Sequence, residues 1–309
     1  MSRIQSILEK AEREGTALRT GNLVPPAATI PISIELPTRP EDSVVIAPGA
    51  TNAHSPAGAT SVVGSAAGPY AGSTRTSASS PDALQHVTVK LNSLLVAGLA
   101  PKSLAAEQYR GLRTRLAHAE GSSSLRTVLV TSPQKAEGKS ITAANLALTM
   151  AQELHRRVLI VEADLRKPSM GKLFGLPPGP GLAEYLSGTC ELGDAMKFLV
   201  DYNLTVIPAG EAPTNPAELL GSTAMRRMLD HLRTRFDRVI LDTPPVLPLA
   251  DVAVLAPIVD GALLVVRAGV TPKPAIENAL RAFDSSRLLG IVLNESGMEQ
   301  DYRYEAPRH

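Results

Sequence analysis

A chain of 309 residues with 44% hydrophobic content and a net charge of +1 holds one large α/β domain or two smaller ones, and lacks the charge excess that draws a protein to nucleic acid or an anionic membrane. Aromatic residues make up 3% and tryptophan is absent, so the core is built from Val, Leu, Ile and Ala. The single cysteine, Cys190, excludes an internal disulfide and suits a reducing compartment.

The opening MSRIQSILEKAEREG lacks the apolar run of a signal peptide. Ile4, Ile7, Leu8 and Ala11 recur at helical spacing and Gly15 supplies a stop, which predicts a short amphipathic helix over residues 1–15. Such a helix is either a weakly docked element or a docking peptide for a partner. Residues 16–85 are rich in Pro, Ala, Ser, Gly and Thr, and from Ser43 to Pro81 only Arg75 carries a formal charge. That composition buries too little apolar surface to offset chain entropy, so a flexible linker is expected, its ~70 residues spanning roughly 50 Å root-mean-square.

Residues 86–309 read as the folded part. TVLVTS, RVLIVEAD, NLTVIPAG, RVILDTPP, GALLVVRAG and LLGIVLN are short, nearly continuous apolar runs, and helical patterns such as SITAANLALTMAQEL, STAMRRMLDHL and PAIENALRAF lie between them. Buried strands alternating with helices predict an α/β fold, a mostly parallel sheet covered on both faces, with ligands at the carboxyl ends of the strands. The longest apolar stretch, VAVLAPIVDGALLVV, contains Asp260 and is shorter than a membrane span, so a soluble protein is expected, reaching a membrane only through a partner.

TVLVTSPQKAEGKSITAANLAL runs strand, loop, helix. Gly138, Lys139 and Ser140 fall at the strand-to-helix junction, where unpaired backbone N–H groups and the helix dipole attract phosphate. In a phosphate-binding loop formed by Gln134, Lys135, Ala136, Glu137, Gly138, Lys139, Ser140 and Ile141, Lys139 would reach the β- and γ-phosphates and Ser140 would ligate Mg²⁺. Pro133 replaces the first glycine of the G-x-x-x-x-G-K-[ST] pattern, and Ala136 stands where a glycine would accept a positive φ more readily.

Two further acidic stations close other strands. Glu162 and Asp164 end VLIVEAD two residues apart, which in extended chain aims them the same way. Asp242 ends RVILD, the position of a carboxylate that holds Mg²⁺. Taken singly, each is equally a cap for the next turn or helix; three such ends on one sheet edge make a site the stronger reading.

These stretches resemble the bacterial tyrosine kinases, or BY-kinases, of capsule and exopolysaccharide biosynthesis: tyrosine autokinases of P-loop fold. The likeness covers residues 86–309 and is carried by SPQKAEGKS, LIVEADLRKP, VILDTPP, FGLPPGPGLAEYLSG and the closing VVRAG and LLGIVLN. The N-terminal MSRIQSILEKAERE is similar to the start of members whose kinase is a cytosolic chain. EQYRGLR places Glu107, Arg110 and Arg113 in the E-x-x-R-x-x-R pattern that in this family joins neighbouring subunits into a ring.

The resemblance implies ATP and Mg²⁺ as cofactors, and a tail that enters a neighbour's site so that a tyrosine hydroxyl attacks the γ-phosphate. Tyr302 and Tyr304, in the closing DYRYEAPRH, are then the acceptors. Lys139 would neutralise charge, Glu162 or Asp164 would serve as base, Ser140, Asp164 and Asp242 would hold the metal, and Asn294 would contact adenine. The implied partners are the cytoplasmic segment of a membrane polysaccharide chain-length regulator, which would recruit a cytoplasmic kinase to the inner face of the cell membrane, and a phosphotyrosine phosphatase.

Two rivals stay open. One is a catalytically weak or inactive ATP-binding regulatory subunit of the same fold, which Ala136, Glu162 in place of the family's usual aspartate, and a tail of only two tyrosines support. The other is a partition-type P-loop ATPase, which carries a lysine where this chain has Gln134. The six histidines are scattered without metal-ligand spacing, and no aromatic-interleaved basic patch suggests nucleic-acid binding.

Overall fold

Nine strands form one sheet in the computed structural model, which describes residues 33–35, 85–119, 125–247, 250–281 and 287–295. They are β1 Ser33–Glu35, β2 Gln85–Val87, β3 Thr127–Thr131, β4 Val158–Glu162, β5 Lys197–Leu199, β6 Leu204–Ile207, β7 Arg238–Asp242, β8 Gly261–Arg267 and β9 Leu288–Asn294. The order across the sheet is β1-β9-β8-β3-β7-β4-β6-β5-β2. The six strands from β9 to β6 run parallel, as the six apolar runs predict; β1 pairs antiparallel with β9, and β5 antiparallel with β6.

The helices among the described residues are α1 Val96–Leu99, α2 Leu104–Ala119, α3 Lys139–Ala151, α4 Met170–Phe174, α5 Leu182–Leu186, α6 Leu192–Ala195, α7 Pro216–Leu220, α8 Thr223–Arg235, α9 Asp251–Leu255 and α10 Lys273–Leu280. They cover both faces of the sheet. Every position of β3, β4 and β7 is buried, and the strand's twofold alternation sends neighbours to opposite cores. Val128, Val130, Ile160 and Ile240 pack with Tyr109, Leu112, Leu116, Leu146 and Met150 of α2 and α3. Leu129, Leu159, Val161 and Leu241 pack with Met225, Met228, Leu229 and Leu232 of α8 and with Ile276 of α10. The α8 residues recur at i, i+3, i+4 and i+7, and the helix is started by Ser222, whose Oγ accepts from the Met225 N–H at 3.2 Å.

Three short strands, β1, β2 and β5, went unforeseen. At three residues each they leave no periodic signal, and they occupy the margins of the sheet. β1 falls inside the segment expected to be linker, where Ser33–Glu35 pair with Leu293, Val292 and Ile291 of β9. The expected N-terminal helix, the rest of the linker apart from Gln85 of β2, and the tail tyrosines Tyr302 and Tyr304 lie outside the described residues. Among the described residues no helix is long and apolar enough to cross a membrane.

The strand order also fixes where chemistry can occur. β3, β7 and β4 are neighbours, with Val130 opposite Asp242 and Asp242 opposite Glu162 in register. The expected phosphate-binding loop after β3 and the acidic ends of β7 and β4 therefore share one stretch of sheet edge.

The centre of this sheet is the part least able to lose volume. Ile160→Ala, on β4 and fully buried, is expected to lower unfolding free energy by about 2–5 kcal/mol in urea titration, whereas Leu154→Ala, 87% exposed, changes it by less than about 0.5 kcal/mol.

Candidate active site

The loop from Ser132 to Gly138 carries the chain from β3 into α3. Gly138 caps α3 at φ 88°, and a Cβ there would lie 2.1 Å from Asn294 Nδ2, so both conformation and space demand glycine. Ala136 adopts φ 63°, the positive angle that sequence alone made doubtful for an alanine. Holding it there costs about 1–2 kcal/mol, which the surrounding loop contacts offset. Gln134, Lys135 and Ala136 are exposed, Ser140 and Ile141 are half-buried, and Ile141 packs against the α2–α3 core.

Glu137 turns inward and is 3% exposed. Its Oε2 accepts from the Gln134 N–H at 2.9 Å and its Oε1 from Thr271 Oγ1 at 2.6 Å, while its carbonyl accepts from Asn294 Nδ2 at 3.0 Å. Burial pushes the Glu137 carboxyl up, and the donors from Thr271 and Gln134 pull it back only in part. Asn294, carried over as an adenine contact, is itself 3% exposed and spends its amide on this loop carbonyl.

Lys139 lies among carboxylates from both neighbouring strands. Its Nζ is 2.8 Å from Asp164 Oδ2, 3.7 Å from Asp242 Oδ1 and 3.0 Å from Ser140 Oγ. Burial alone would depress the ammonium, but the charges of Asp242 and Asp164 outweigh it and hold Lys139 above the ordinary lysine value. Asp164 Oδ1 also accepts from the Lys167 N–H at 3.1 Å, which fixes the carboxylate at the mouth of β4.

Asp242 is fully buried, and among the described residues neither of its oxygens receives a hydrogen bond of ordinary geometry, although the Ser140 hydroxyl lies near enough to pull its pKa down. Burial pushes its pKa up to about 7, against the pull of Lys139. A carboxylate with two orphaned oxygens beside a hydroxyl is a donor set for a hard divalent cation. The described residues hold no cluster of three or more His, Cys, Asp or Glu side chains arranged for a metal; of the three expected ligands, Ser140 and Asp242 are the ones that could hold Mg²⁺, while Asp164 is taken up by Lys139.

Glu162 behaves differently from its neighbour Asp164. Its Oε1 accepts from the N–H groups of Ser169 and Met170, the latter at 2.7 Å, and its Oε2 accepts from Ala209 N–H at 3.0 Å. The carboxylate thus caps α4 and straps the end of β4 to the loop after β6. Burial pushes it up and these three backbone donors pull it down.

The described part of the E-x-x-R-x-x-R motif is satisfied within the chain. Glu107 pairs with Arg110 on α2, and Arg110 also donates to the Pro101 carbonyl. Arg113 reaches α3, donating to the Thr149 carbonyl at 2.9 Å and pairing with Glu153 at 3.1 Å. Two residues that sequence reasoning missed hold the loop after β4: Arg166 grips the fully buried Asp251 of α9 through Nε at 2.7 Å and Nη2 at 3.2 Å. An aspartate set in the apolar LADVAVL was the only trace of it in the sequence.

No protein-family model matches the chain. Tyrosine-protein kinase YwqD of Bacillus subtilis is 37% identical over 212 residues, 68% of this chain and 89% of YwqD. The succinoglycan biosynthesis transport protein ExoP of Rhizobium meliloti is 33% identical over 210 residues, 66% of this chain and 27% of ExoP. Among solved structures, the kinase domain of the Escherichia coli tyrosine kinase ETK matches with a TM-score of 0.59 at 32% identity, over 64% of this chain and 78% of that one.

The perturbed Asp242 has a measurable signature. Its folded pKa of about 7 lies above the value of 3.8 for an unperturbed aspartate, so between these the native state keeps a proton that the unfolded chain releases. Its contribution to stability therefore falls as pH rises from about 4 to about 7 and is flat on either side. Urea midpoints of ligand-free wild type and Asp242→Asn, compared across that window, should diverge with rising pH in favour of the variant.

Proposed function

The chain belongs to the bacterial tyrosine-protein kinases, and from that premise we propose that it transfers the γ-phosphoryl of ATP, between neighbouring subunits, to Tyr302 and Tyr304 of its own tail. The observation that carries this reading is the placement of Lys139, held at 2.8 Å by Asp164 and at 3.7 Å by Asp242 at the N-terminus of α3. A cation neutralised by two carboxylates, where backbone N–H groups converge, is a site prepared for a triphosphate.

The mechanism we infer begins with an exchange of partners. Arriving phosphates compete for the Lys139 ammonium and draw it from Asp164, leaving Oδ2 open to accept a hydrogen bond from the incoming tyrosine hydroxyl. As that oxygen attacks the γ-phosphorus, its proton passes to the Asp164 carboxylate, the bond to the leaving ADP oxygen breaks, and Lys139 offsets the charge that develops. Ser140 and Asp242 would hold Mg²⁺, which would supply Lewis-acid stabilisation of the developing phosphate charge. We assign Glu162 to positioning, because three backbone donors already occupy its carboxylate. Positioning and electrostatics supply most of such a rate enhancement, which makes the rigid anchoring of these groups part of the chemistry.

The wider setting is proposed on the same footing. The name of ExoP, a succinoglycan biosynthesis transport protein, supports a role in exopolysaccharide synthesis; capsule, as the related product, rests on the sequence resemblance alone. Glu107, Arg110 and Arg113 would pair across a ring of subunits, exchanging the contacts they make within one chain. A cytoplasmic segment of a membrane chain-length regulator would recruit the kinase to the inner face of the cell membrane, and a phosphotyrosine phosphatase would reset the tail, whose added negative charge loosens the ring.

Phosphosite mapping by mass spectrometry after incubation with ATP and Mg²⁺ tests the reading. Wild type should carry phosphate on Tyr302 or Tyr304, and Lys139→Ala alone should carry none. Mixing Lys139→Ala with a Tyr302→Phe/Tyr304→Phe chain should return phosphate to the Lys139→Ala tail, since the active site and the acceptor then lie on different subunits. Nucleotide binding without phosphotyrosine in any of these mixtures would leave a regulatory ATP-binding subunit as the better description.

A further inference from the structure

Glu137 presents a puzzle within the phosphate-binding loop. It is an acidic residue beside the place where a polyanion would sit, and it is buried rather than exposed. Neither carboxylate oxygen is free: Oε2 takes the Gln134 N–H at 2.9 Å and Oε1 takes the Thr271 hydroxyl at 2.6 Å. The first bond closes the loop on itself across three residues. The second fastens it to the turn that follows β8, where Thr271 Oγ1 in turn accepts from the Arg267 N–H at 3.0 Å. A third tie comes from β9, through Asn294 Nδ2 to the Glu137 carbonyl at 3.0 Å.

These ties surround the two residues whose backbone is hardest to hold. Ala136 at φ 63° and Gly138 at φ 88° flank Glu137 directly. A loop with two left-handed residues, one of them an alanine, relaxes unless its neighbours over-determine it. The contacts that over-determine this one converge on Glu137 from three separate segments of chain.

We propose that Glu137 is a positioning residue for nucleotide binding: its carboxylate, acting with Thr271 and Asn294, holds the loop in the shape that receives phosphate and touches no phosphate itself. The proposal rests on the nucleotide-binding reading above. A shaped loop lowers the cost of binding without changing the chemical step, so its loss should weaken ATP binding and leave transfer from the bound state nearly intact.

The test uses the full chain and two readouts: affinity for a fluorescent ATP analogue in the absence of transfer, and kcat with KM for ATP in tail phosphorylation. Glu137→Ala should weaken nucleotide affinity and raise KM by about tenfold, with kcat within about twofold of wild type. Glu137→Gln keeps one carbonyl oxygen to accept from Gln134 and an amide to meet Thr271, so it should restore most of the affinity. Thr271→Val removes the hydroxyl that donates to Glu137 and accepts from the Arg267 N–H, should weaken affinity by a few-fold, and should add little to Glu137→Ala in the double variant. Thermal midpoints show whether each variant is folded, and Thr271→Val stands in should Glu137→Ala fail to fold. Wild-type affinity in both Glu137→Ala and Thr271→Val, additive losses, or a fall in kcat at unchanged KM would each overturn the assignment. A wild type that binds no nucleotide would instead overturn the functional reading beneath it.

Discussion

A lysine ammonium buried between two carboxylates organises the functional edge of this protein. Lys139 comes from the helix after β3, Asp164 from beyond β4 and Asp242 from the end of β7, and they meet only because those three strands are neighbours in the sheet. Burying such charges is costly, and a buried cation is tolerated when its partners are close and fixed. Here they are fixed by backbone: Asp164 by the Lys167 amide, Asp242 by the last ladder position of β7. The arrangement remains incomplete as it stands, since among the described residues neither Asp242 oxygen receives a hydrogen bond of ordinary geometry. That incompleteness supports the proposed role of the site in taking a ligand that carries its own phosphates and cation.

Around this centre three further buried acidic residues act as supports. Glu162 caps α4 and reaches the loop after β6, Asp251 holds Arg166, and Glu137 ties the phosphate-binding loop to the ends of β8 and β9. Each of these three carboxylates accepts at least two hydrogen bonds, which offsets part of its desolvation cost. The site is therefore held from the flanks by the sheet's C-terminal edge, and the strain at Ala136 persists because those contacts leave the loop no cheaper shape.

Helix α3 joins two functions. Its N-terminus faces the proposed phosphate site, and toward its C-terminal end the Thr149 carbonyl and, just beyond, Glu153 receive Arg113 of α2. A guanidinium near a helix C-terminus complements the dipole there. Any assembly that drew Arg113 onto a neighbouring subunit would change what the far end of the phosphate-binding helix is packed against.

Much of this was readable from residue order. Six apolar runs separated by helical patterns determine a parallel sheet covered on both faces, and a Gly-Lys-Ser at a strand-to-helix junction marks a candidate phosphate site, because both signals depend on neighbours within a few residues. What only the tertiary structure decided is which groups meet across long separations. Thr271 and Glu137 are 134 residues apart, Asp251 and Arg166 are 85 apart, and no local period encodes either pair. Glu162 and Asp164 look equivalent as sequence, two apart at one strand end, yet the fold commits one to three backbone donors and the other to Lys139. The three-residue strands β1, β2 and β5 are legible only once a partner strand exists to pair with, since so short a segment gains its hydrogen bonds from the sheet and not from itself.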